Sequence, residues 1–166
     1  GGDVVICANL PYYITSPVIM RILEEKLPIK SLTVMVQKEA AERICAEPGT
    51  RDVGAVSIAV RYYAEPEMLF KVSAGSFVPP PKVDSEVIKL DILAEPPIKP
   101  KDEKQFFRLV KSAFAQRRKT LSNSLSSGLG VSKSDIAQAL EGCGLKPTAR
   151  AEELSMQDFC KLADYL

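Results

Sequence analysis

A short apolar run that stops abruptly at a proline constrains the fold of this chain more than any other feature. The run VVICA, residues 4–8, is followed by Asn9-Leu10-Pro11-Tyr12. Proline cannot donate a hydrogen bond to a sheet, so Pro11 ends the strand that the run predicts. An apolar strand of this kind is typical of an inner strand of a parallel sheet, where ligands bind beyond the carboxyl ends. We therefore expect residues 9–12 to line a crevice.

The four residues after this strand suit a flat nitrogen heterocycle that carries an exocyclic amine. The Asn9 side-chain oxygen and the Leu10 carbonyl, which Pro11 holds extended, can each accept a hydrogen bond from an NH2 group. Tyr12 offers a ring on which a base taken out of its helix can stack. An ordinary turn from strand to helix explains the same residues, since Asn, Pro and Tyr are common at strand ends.

The rest of the chain predicts an α/β domain followed by helices. A helix capped by Thr15 or Ser16, an apolar strand at 32–36 and another helix complete a βαβα unit with a parallel sheet. Residues 54–64 fit a helix or a strand, and we favour the helix. Two further strands follow, and the last strand, 84–93, is expected to run antiparallel to its predecessor. We predict a partial α/β domain at residues 1–94, a Pro-rich linker at 95–101 and a small helical subdomain at 102–166.

Composition excludes several classes of function. The chain has no His, so the usual general base and the commonest metal ligand are missing, and no metal site is predicted. Its four cysteines lie far apart in sequence, which is typical of free thiols in a reducing cytoplasm. No segment has the length and apolar character of a membrane span or a secretion signal, so we expect a cytoplasmic protein without a membrane partner. Catalysis, if present, is expected to work by positioning, stacking and hydrogen bonding.

The charge is distributed unevenly along the chain. Residues 1–100 carry a net charge of −2 and residues 101–166 a net charge of +3. No acidic residue occurs between Glu103 and Asp135, although this span contains seven lysines and arginines. A stretch of one sign and this length is typical of a surface that contacts a nucleic-acid backbone.

Two further segments stand out. The run FVPPPKVDS, residues 77–85, is too rich in proline for a helix or a central strand, and such a loop can hold the Phe77 ring in place. A core position for Phe77 in an ordinary turn explains this run too. The run QRRKTL, residues 116–121, lies within the span that lacks acids. A basic triplet is usually only a solvated helix face, but here we favour a contact with RNA phosphates.

These segments, together with NLPYYIT at residues 9–15, resemble the S-adenosylmethionine-dependent small-subunit rRNA adenine N6,N6-dimethyltransferases. The resemblance implies the second half of a Rossmann-like methyltransferase sheet followed by an all-helical subdomain. The implied activity is dimethylation of N6 of two adjacent adenines in a hairpin near the 3′ end of small-subunit rRNA. The implied partner is the immature small ribosomal subunit.

The resemblance also implies roles for individual residues. Asn9 and the Leu10 carbonyl, which Pro11 holds in place, would bind the amino group, and Tyr12 and Phe77 would enclose the adenine ring. Asn9 would also approach the methyl-donor end of S-adenosylmethionine. The residues implied to contact RNA are Lys82, Arg117, Arg118 and Lys119.

The main cofactor-binding motifs of the family are missing from this sequence. The glycine pairs at 128–130 and 142–144 follow helical patterns and are predicted to end helices instead. We therefore expect the isolated chain to be inactive, and we expect an open sheet edge to favour self-association. Two alternatives stay open: a large-subunit rRNA adenine methyltransferase of the macrolide-resistance type, and a non-catalytic RNA-binding assembly or transcription factor on the same fold.

Overall fold

The computed structural model describes residues 3–166, so the first two residues of the predicted domain 1–94 lie outside the described part. Within residues 3–166 the chain forms four strands: β1 (Val5–Asn9), β2 (Ser31–Gln37), β3 (Ala64–Val72) and β4 (Ser85–Ile92). It also forms seven α-helices in that range: α1 (Thr15–Glu24), α2 (Lys38–Cys45), α3 (Ala55–Tyr63), α4 (Glu103–Phe114), α5 (Leu121–Leu129), α6 (Lys133–Gly142) and α7 (Met156–Tyr165). The predicted α/β fold class with a helical tail is confirmed.

The four strands form one mixed sheet in the order β1-β2-β4-β3. β1 and β2 are parallel and are connected through α1, as the βαβα pattern predicts. β4 enters between β2 and β3 and is antiparallel to both. The prediction that the last strand runs antiparallel to its predecessor is therefore confirmed.

The prediction that the first strand is a buried inner strand is wrong for the described part of the chain. β1 pairs only with β2, and Val5 is 55% exposed. Among residues 3–166 no strand pairs with the other edge of β1. An apolar run indicates that a strand favours burial, but it cannot report how many neighbouring strands are present.

The chain divides into two compact units. The first, which we call the sheet unit, comprises the chain up to Ala46 together with Ala59–Pro96. Its core is built from the apolar side chains of the two central strands, including Leu32, Val34, Ile88 and Leu90, all at most 1% exposed. The second, the helical unit, comprises Glu47–Ile58 and Pro97–Leu166.

The helical unit has its own core and well-capped helices. Its fully buried side chains come from several helices and include Phe106, Leu109, Leu121, Leu125, Ile136 and Phe159. The side chains of Asp102, Ser132 and Ser155 accept hydrogen bonds from backbone N–H groups three residues further on, so each of these residues is a helix N-cap.

The predicted N-cap of the first helix is wrong. Ile14 occupies that position, and Thr15 is already the first residue of α1. The Thr15 hydroxyl donates instead to the Pro11 carbonyl oxygen at 3.3 Å. The 3₁₀ turn that precedes the helix brings the Pro11 carbonyl oxygen close to the Thr15 hydroxyl, so the hydroxyl bonds to this carbonyl and does not cap the helix.

Residues 47–58 belong to the helical unit but are separated in sequence from the rest of it. The Arg117 guanidinium donates to the carbonyl oxygens of Arg51 at 3.0 Å and Val53 at 3.4 Å. These contacts help to explain why residues 47–58 belong to the helical unit although the sequence places them between α2 and α3. The predicted domain boundaries do not include this segment and stay a prediction. No helix in the described part of the chain is both long and apolar enough to cross a bilayer.

Candidate active site

A cleft of about 390 Å³ opens at the carboxyl end of β1. β1 ends at Asn9, and a 3₁₀ turn at Tyr12–Ile14 leads into α1. The turn begins at Pro11, whose carbonyl oxygen accepts a hydrogen bond from the Ile14 N–H at 3.1 Å. This sharp change of direction is what brings the backbone and side chains of residues 9–12 to the cleft.

All five residues predicted for the catalytic site line this one cleft: Asn9, Leu10, Pro11, Tyr12 and Phe77. Phe77 is far from the others in sequence, and the cleft volume lies in the range of about 300–1,000 Å³ usual for small-ligand pockets. The structure therefore brings the predicted residues together, whereas their chemical roles stay predictions.

The two proposed hydrogen-bond acceptors have no partner within residues 3–166. The Asn9 residue is exposed, and neither its carboxamide nor the Leu10 carbonyl oxygen takes part in a recorded side-chain or loop hydrogen bond there. The Pro11 carbonyl, in contrast, is already used by Ile14 and Thr15. Two neighbouring acceptors are therefore available to a ligand amine at the end of β1.

The Tyr12 hydroxyl forms a short hydrogen bond within the sheet unit. This hydroxyl lies 2.6 Å from Oγ of Ser85, and either group can be the donor. Ser85 is the first residue of β4 and is 0% exposed. The half-buried Tyr12 ring therefore faces the cleft with its hydroxyl anchored in the protein interior.

Phe77 lies on a loop that is held by hydrogen bonds and an ion pair. Residues 74–76 form a 3₁₀ turn, and the Phe77 N–H donates to the Ala74 carbonyl at 3.3 Å. The Ala74 N–H donates to Oδ1 of Asp84 at 2.9 Å, and the Lys71 ammonium lies 3.0 Å from Oδ2. The hydrogen bond from Ala74 and the Lys71 charge hold the pKa of Asp84 below its ordinary value.

Sequence reasoning missed three residues that line the cleft: Met35, Pro79 and Pro81. Met35 pairs with Asn9 in the parallel ladder, so the register of the two strands carries the missing signal. Parallel strands end at the same edge of a sheet, so a residue near the carboxyl end of β2 is a natural neighbour of Asn9. The role of Ser85 as the partner of Tyr12 was also missed, because the two residues are 73 positions apart.

The four cations predicted to contact RNA differ in their surroundings. Lys82, Arg118 and Lys119 are exposed, and their side chains take part in no hydrogen bond or ion pair recorded for residues 3–166. Arg117 donates to two backbone carbonyls, so part of its guanidinium is already used within the helical unit. The contact of these residues with RNA stays a prediction.

Other kinds of chemistry find little support. Burial raises the pKa of Cys45 to about 11 and also raises the pKa of Cys143 and Cys160, so these thiols stay protonated near neutral pH. Between residues 3 and 166 no group of three or more His, Cys, Asp or Glu side chains is arranged to hold a metal ion. Gly130 and Gly144 adopt positive φ angles of 69° and 73° after α5 and α6, which confirms the prediction that they end helices.

The sequence is similar to that of known proteins along nearly its whole length. The model of the family described as "Ribosomal RNA adenine dimethylase" matches residues 2–166. A protein of Alkaliphilus oremlandii named "Ribosomal RNA small subunit methyltransferase A" is 50% identical over 167 residues, covering 100% of this chain and 58% of the relative. A protein of the same name from Caldanaerobacter subterraneus subsp. tengcongensis is 51% identical over 166 residues, covering 100% of this chain and 61% of the relative. The chain thus spans about three fifths of the length of these relatives.

Two solved structures share the fold. A dimethyladenosine transferase from Plasmodium falciparum superposes with a TM-score of 0.81 at 28% identity, covering 98% of this chain and 66% of that chain. The 23S rRNA methyltransferase ErmE superposes with a TM-score of 0.70 at 22% identity, covering 99% of this chain and 65% of that chain. The second similarity concerns the fold alone.

Proposed function

We propose, from the premise that this chain belongs to the ribosomal RNA adenine dimethylase family, that the whole protein dimethylates N6 of adenine in ribosomal RNA. The proposed substrate is a pair of adjacent adenines in the 3′-terminal hairpin of small-subunit rRNA, presented by the immature small subunit in the cytoplasm. The observation that carries the proposal is the single cleft lined by Asn9, Leu10, Tyr12 and Phe77.

The chemistry that these residues would perform is orientation of a weak nucleophile. The lone pair of an adenine amino group is delocalised into the ring. The Asn9 carboxamide oxygen and the Leu10 carbonyl oxygen would accept hydrogen bonds from its two N–H groups and turn the nitrogen toward the methyl donor. Tyr12 and Phe77 would enclose the ring and stop it from rotating. N6 would lose one proton to solvent in each transfer, and in the second transfer the monomethylated nitrogen would keep one N–H for one of the two acceptors.

S-adenosylmethionine, when bound, supplies an electrophilic methyl group. Asn9 would lie at its methyl-donor end, and the exposed carboxamide, which has no partner of its own in residues 3–166, supports this placement. The glycine pairs that contain Gly130 and Gly144 lie at helix ends and not after a strand, so they do not support a glycine-rich turn for the rest of the cofactor. Most of the cofactor site would therefore be formed elsewhere in the whole protein.

RNA binding by the helical unit is proposed to depend on exposed lysines and arginines on α4 and in the segment that follows it. Arg118 and Lys119 follow this helix, and Lys104, Arg108 and Lys111 are exposed on it at spacings of four and three residues. Residues at such spacings share one face of a helix. These side chains take part in no ion pair recorded in the described part, so they would be available to phosphates.

The proposal is tested with the whole protein, immature small subunits that lack the two dimethyladenosines, and radiolabelled S-adenosylmethionine. We expect label to enter the small-subunit rRNA and not large-subunit RNA. The variant Asn9→Ala should lower the rate by about 100-fold or more, the usual cost of removing one group that stabilises a transition state. Its RNA affinity should not change, because phosphate contacts dominate that affinity.

The variant Asn123→Ala is a matched control, since it truncates another asparagine within α5. It should methylate like the wild type. Methylation of large-subunit RNA instead would favour the macrolide-resistance class. RNA binding without any methyl transfer by the wild type would favour a non-catalytic RNA-binding factor and refute the proposal.

A further inference from the structure

Two adjacent residues, Asp84 just before β4 and Ser85 at its start, connect to the two aromatic walls of the cleft. We propose that this pair positions the rings of Tyr12 and Phe77 against the target base without contacting the base itself. The inference rests on the proposed function, because the two rings enclose a base only if the protein acts on RNA. It adds two positioning residues that neither line the cleft nor contact the reacting atoms.

Ser85 connects the first wall to the most rigid part of the sheet. It is paired on both sides, with Gln37 of β2 and with Val72 of β3, and is 0% exposed. Its Oγ lies 2.6 Å from the Tyr12 hydroxyl, a short distance for a hydrogen bond between two hydroxyls. Because Tyr has few rotatable bonds, anchoring its hydroxyl restricts the tilt of the ring.

Asp84 connects the second wall through the 3₁₀ turn at residues 74–76. Its Oδ1 accepts from the Ala74 N–H at 2.9 Å, and the Ala74 carbonyl in turn accepts from the Phe77 N–H at 3.3 Å. The Asp84 carbonyl also accepts from the Lys38 N–H at 3.0 Å, where α2 begins. The carboxylate thus holds the start of the turn that presents Phe77, while its own backbone is bound to the sheet unit.

The consequence is that one rigid dipeptide sets the separation of the two rings. A base that enters a slot of fixed width loses little further side-chain entropy from the protein, so more of the stacking energy is retained. If either connection is cut, the corresponding ring gains freedom. The expected loss is then in the turnover of bound RNA and not in RNA affinity.

The Ser85 connection is tested by a double-mutant cycle in the whole protein, with Ser85→Ala, Tyr12→Phe and both together. Each single variant keeps its ring or its packing and should lower kcat by about 3- to 10-fold, as expected for one lost hydrogen bond. The double variant should be no slower than the slower single variant. KM for the RNA should stay within a factor of about 2, since phosphate contacts dominate binding.

Ser57→Ala provides a control for simple loss of a buried hydroxyl. Ser57 is also 0% exposed, and its Oγ accepts from the Gly54 N–H at 3.0 Å. This variant should lower the thermal midpoint without changing kcat. A fluorescent readout adds to the comparison: a hairpin with 2-aminopurine at the target adenine should be quenched by stacking in the wild type and quenched less by Ser85→Ala.

The Asp84 connection is tested with a rescue. Asp84→Ala removes the acceptor for Ala74 and should reduce both kcat and the 2-aminopurine quench, whereas Asp84→Asn keeps an oxygen at that position and should restore most of each. Lys71→Met removes only the ion pair at 3.0 Å and should leave both unchanged.

The possible outcomes are distinct. A wild type that neither methylates RNA nor quenches the probe would overturn the proposed function and this inference with it. An active wild type in which the Ser85 and Tyr12 effects multiply, or in which Asp84→Ala behaves like Lys71→Met, would overturn the inference alone. Coupled losses in kcat with rescue by Asp84→Asn would support it.

Discussion

Replacing Phe77 by Ala removes one wall of the cleft and should weaken the hold on the target base. Phe77 is half-buried and lies on a loop, so the substitution costs less stability than the roughly 3–5 kcal/mol of a core Phe→Ala change. Its effect should therefore appear in function. Stacking of one base on an aromatic ring contributes about 1–3 kcal/mol.

That energy corresponds to a reduction of about 5- to 150-fold in kcat/KM, since about 1.4 kcal/mol is a factor of 10. The ring would act mainly after the base has left its helix. Most of the loss should therefore fall on kcat, with RNA affinity retained through phosphate contacts. Phe77→Trp keeps an aromatic face and should recover most of the activity.

The measurement is methyl transfer by the whole protein to immature small subunits under single-turnover conditions. Phe70→Ala is the matched control, because Phe70 lies on β3 and is 57% exposed. It should behave like the wild type. If Phe77→Ala and Phe70→Ala methylate at the same rate, or if Phe77→Trp is as slow as Phe77→Ala, the idea that Phe77 stacks on the base is wrong.

Three further predictions concern stability. Arg117→Ala should lower the free energy of unfolding by about 1–3 kcal/mol in urea titrations, because it loses hydrogen bonds from a charged group to backbone carbonyls. The control Arg118→Ala should change it by less than about 0.5 kcal/mol. Equal effects of the two variants would contradict a structural role for Arg117. The pKa of Asp84 is lowered in the folded state, so its carboxylate stabilises the fold at pH values above the ordinary Asp pKa. This contribution is lost as the pH falls through the lowered pKa. In urea titrations the wild type should therefore lose its stability advantage over Asp84→Asn between pH 7 and pH 3. Gly128→Ala would place its Cβ 2.5 Å from Cβ of Ser112 and should cost about 1–3 kcal/mol by calorimetry, which a simultaneous Ser112→Gly change should partly restore.

Features that depend on neighbouring residues could be predicted from the sequence. Caps such as Asp102 and Ser155 are predictable, because a capping side chain bonds to a backbone group only three residues away. The end of β1 at residues 9–11 was predicted because proline removes a donor wherever it occurs. The prediction of an N-cap at Thr15 is wrong. Its hydroxyl donates to the Pro11 carbonyl oxygen, which a preceding 3₁₀ turn that the sequence did not predict brings close to it.

The members of the candidate site divide in the same way. Asn9, Leu10, Pro11 and Tyr12 were recognised as one chemical group because they are consecutive. Phe77 was placed with them by family resemblance, and the structure shows that it lines the same cleft. Met35 was missed, because its place beside Asn9 depends on the register of two strands.

By itself, the sequence determined the element types, the α/β class, the motif at the end of the first strand and the basic span of the helical unit. These follow from periodicity, propensity and charge, which act over a few residues. Only the tertiary structure decided that β1 is an edge strand within residues 3–166 and that the Arg117 guanidinium binds the backbone at residues 51–53. It also decided that Ser85 anchors Tyr12, because a contact across 73 residues forms only when the strands have taken their order and register.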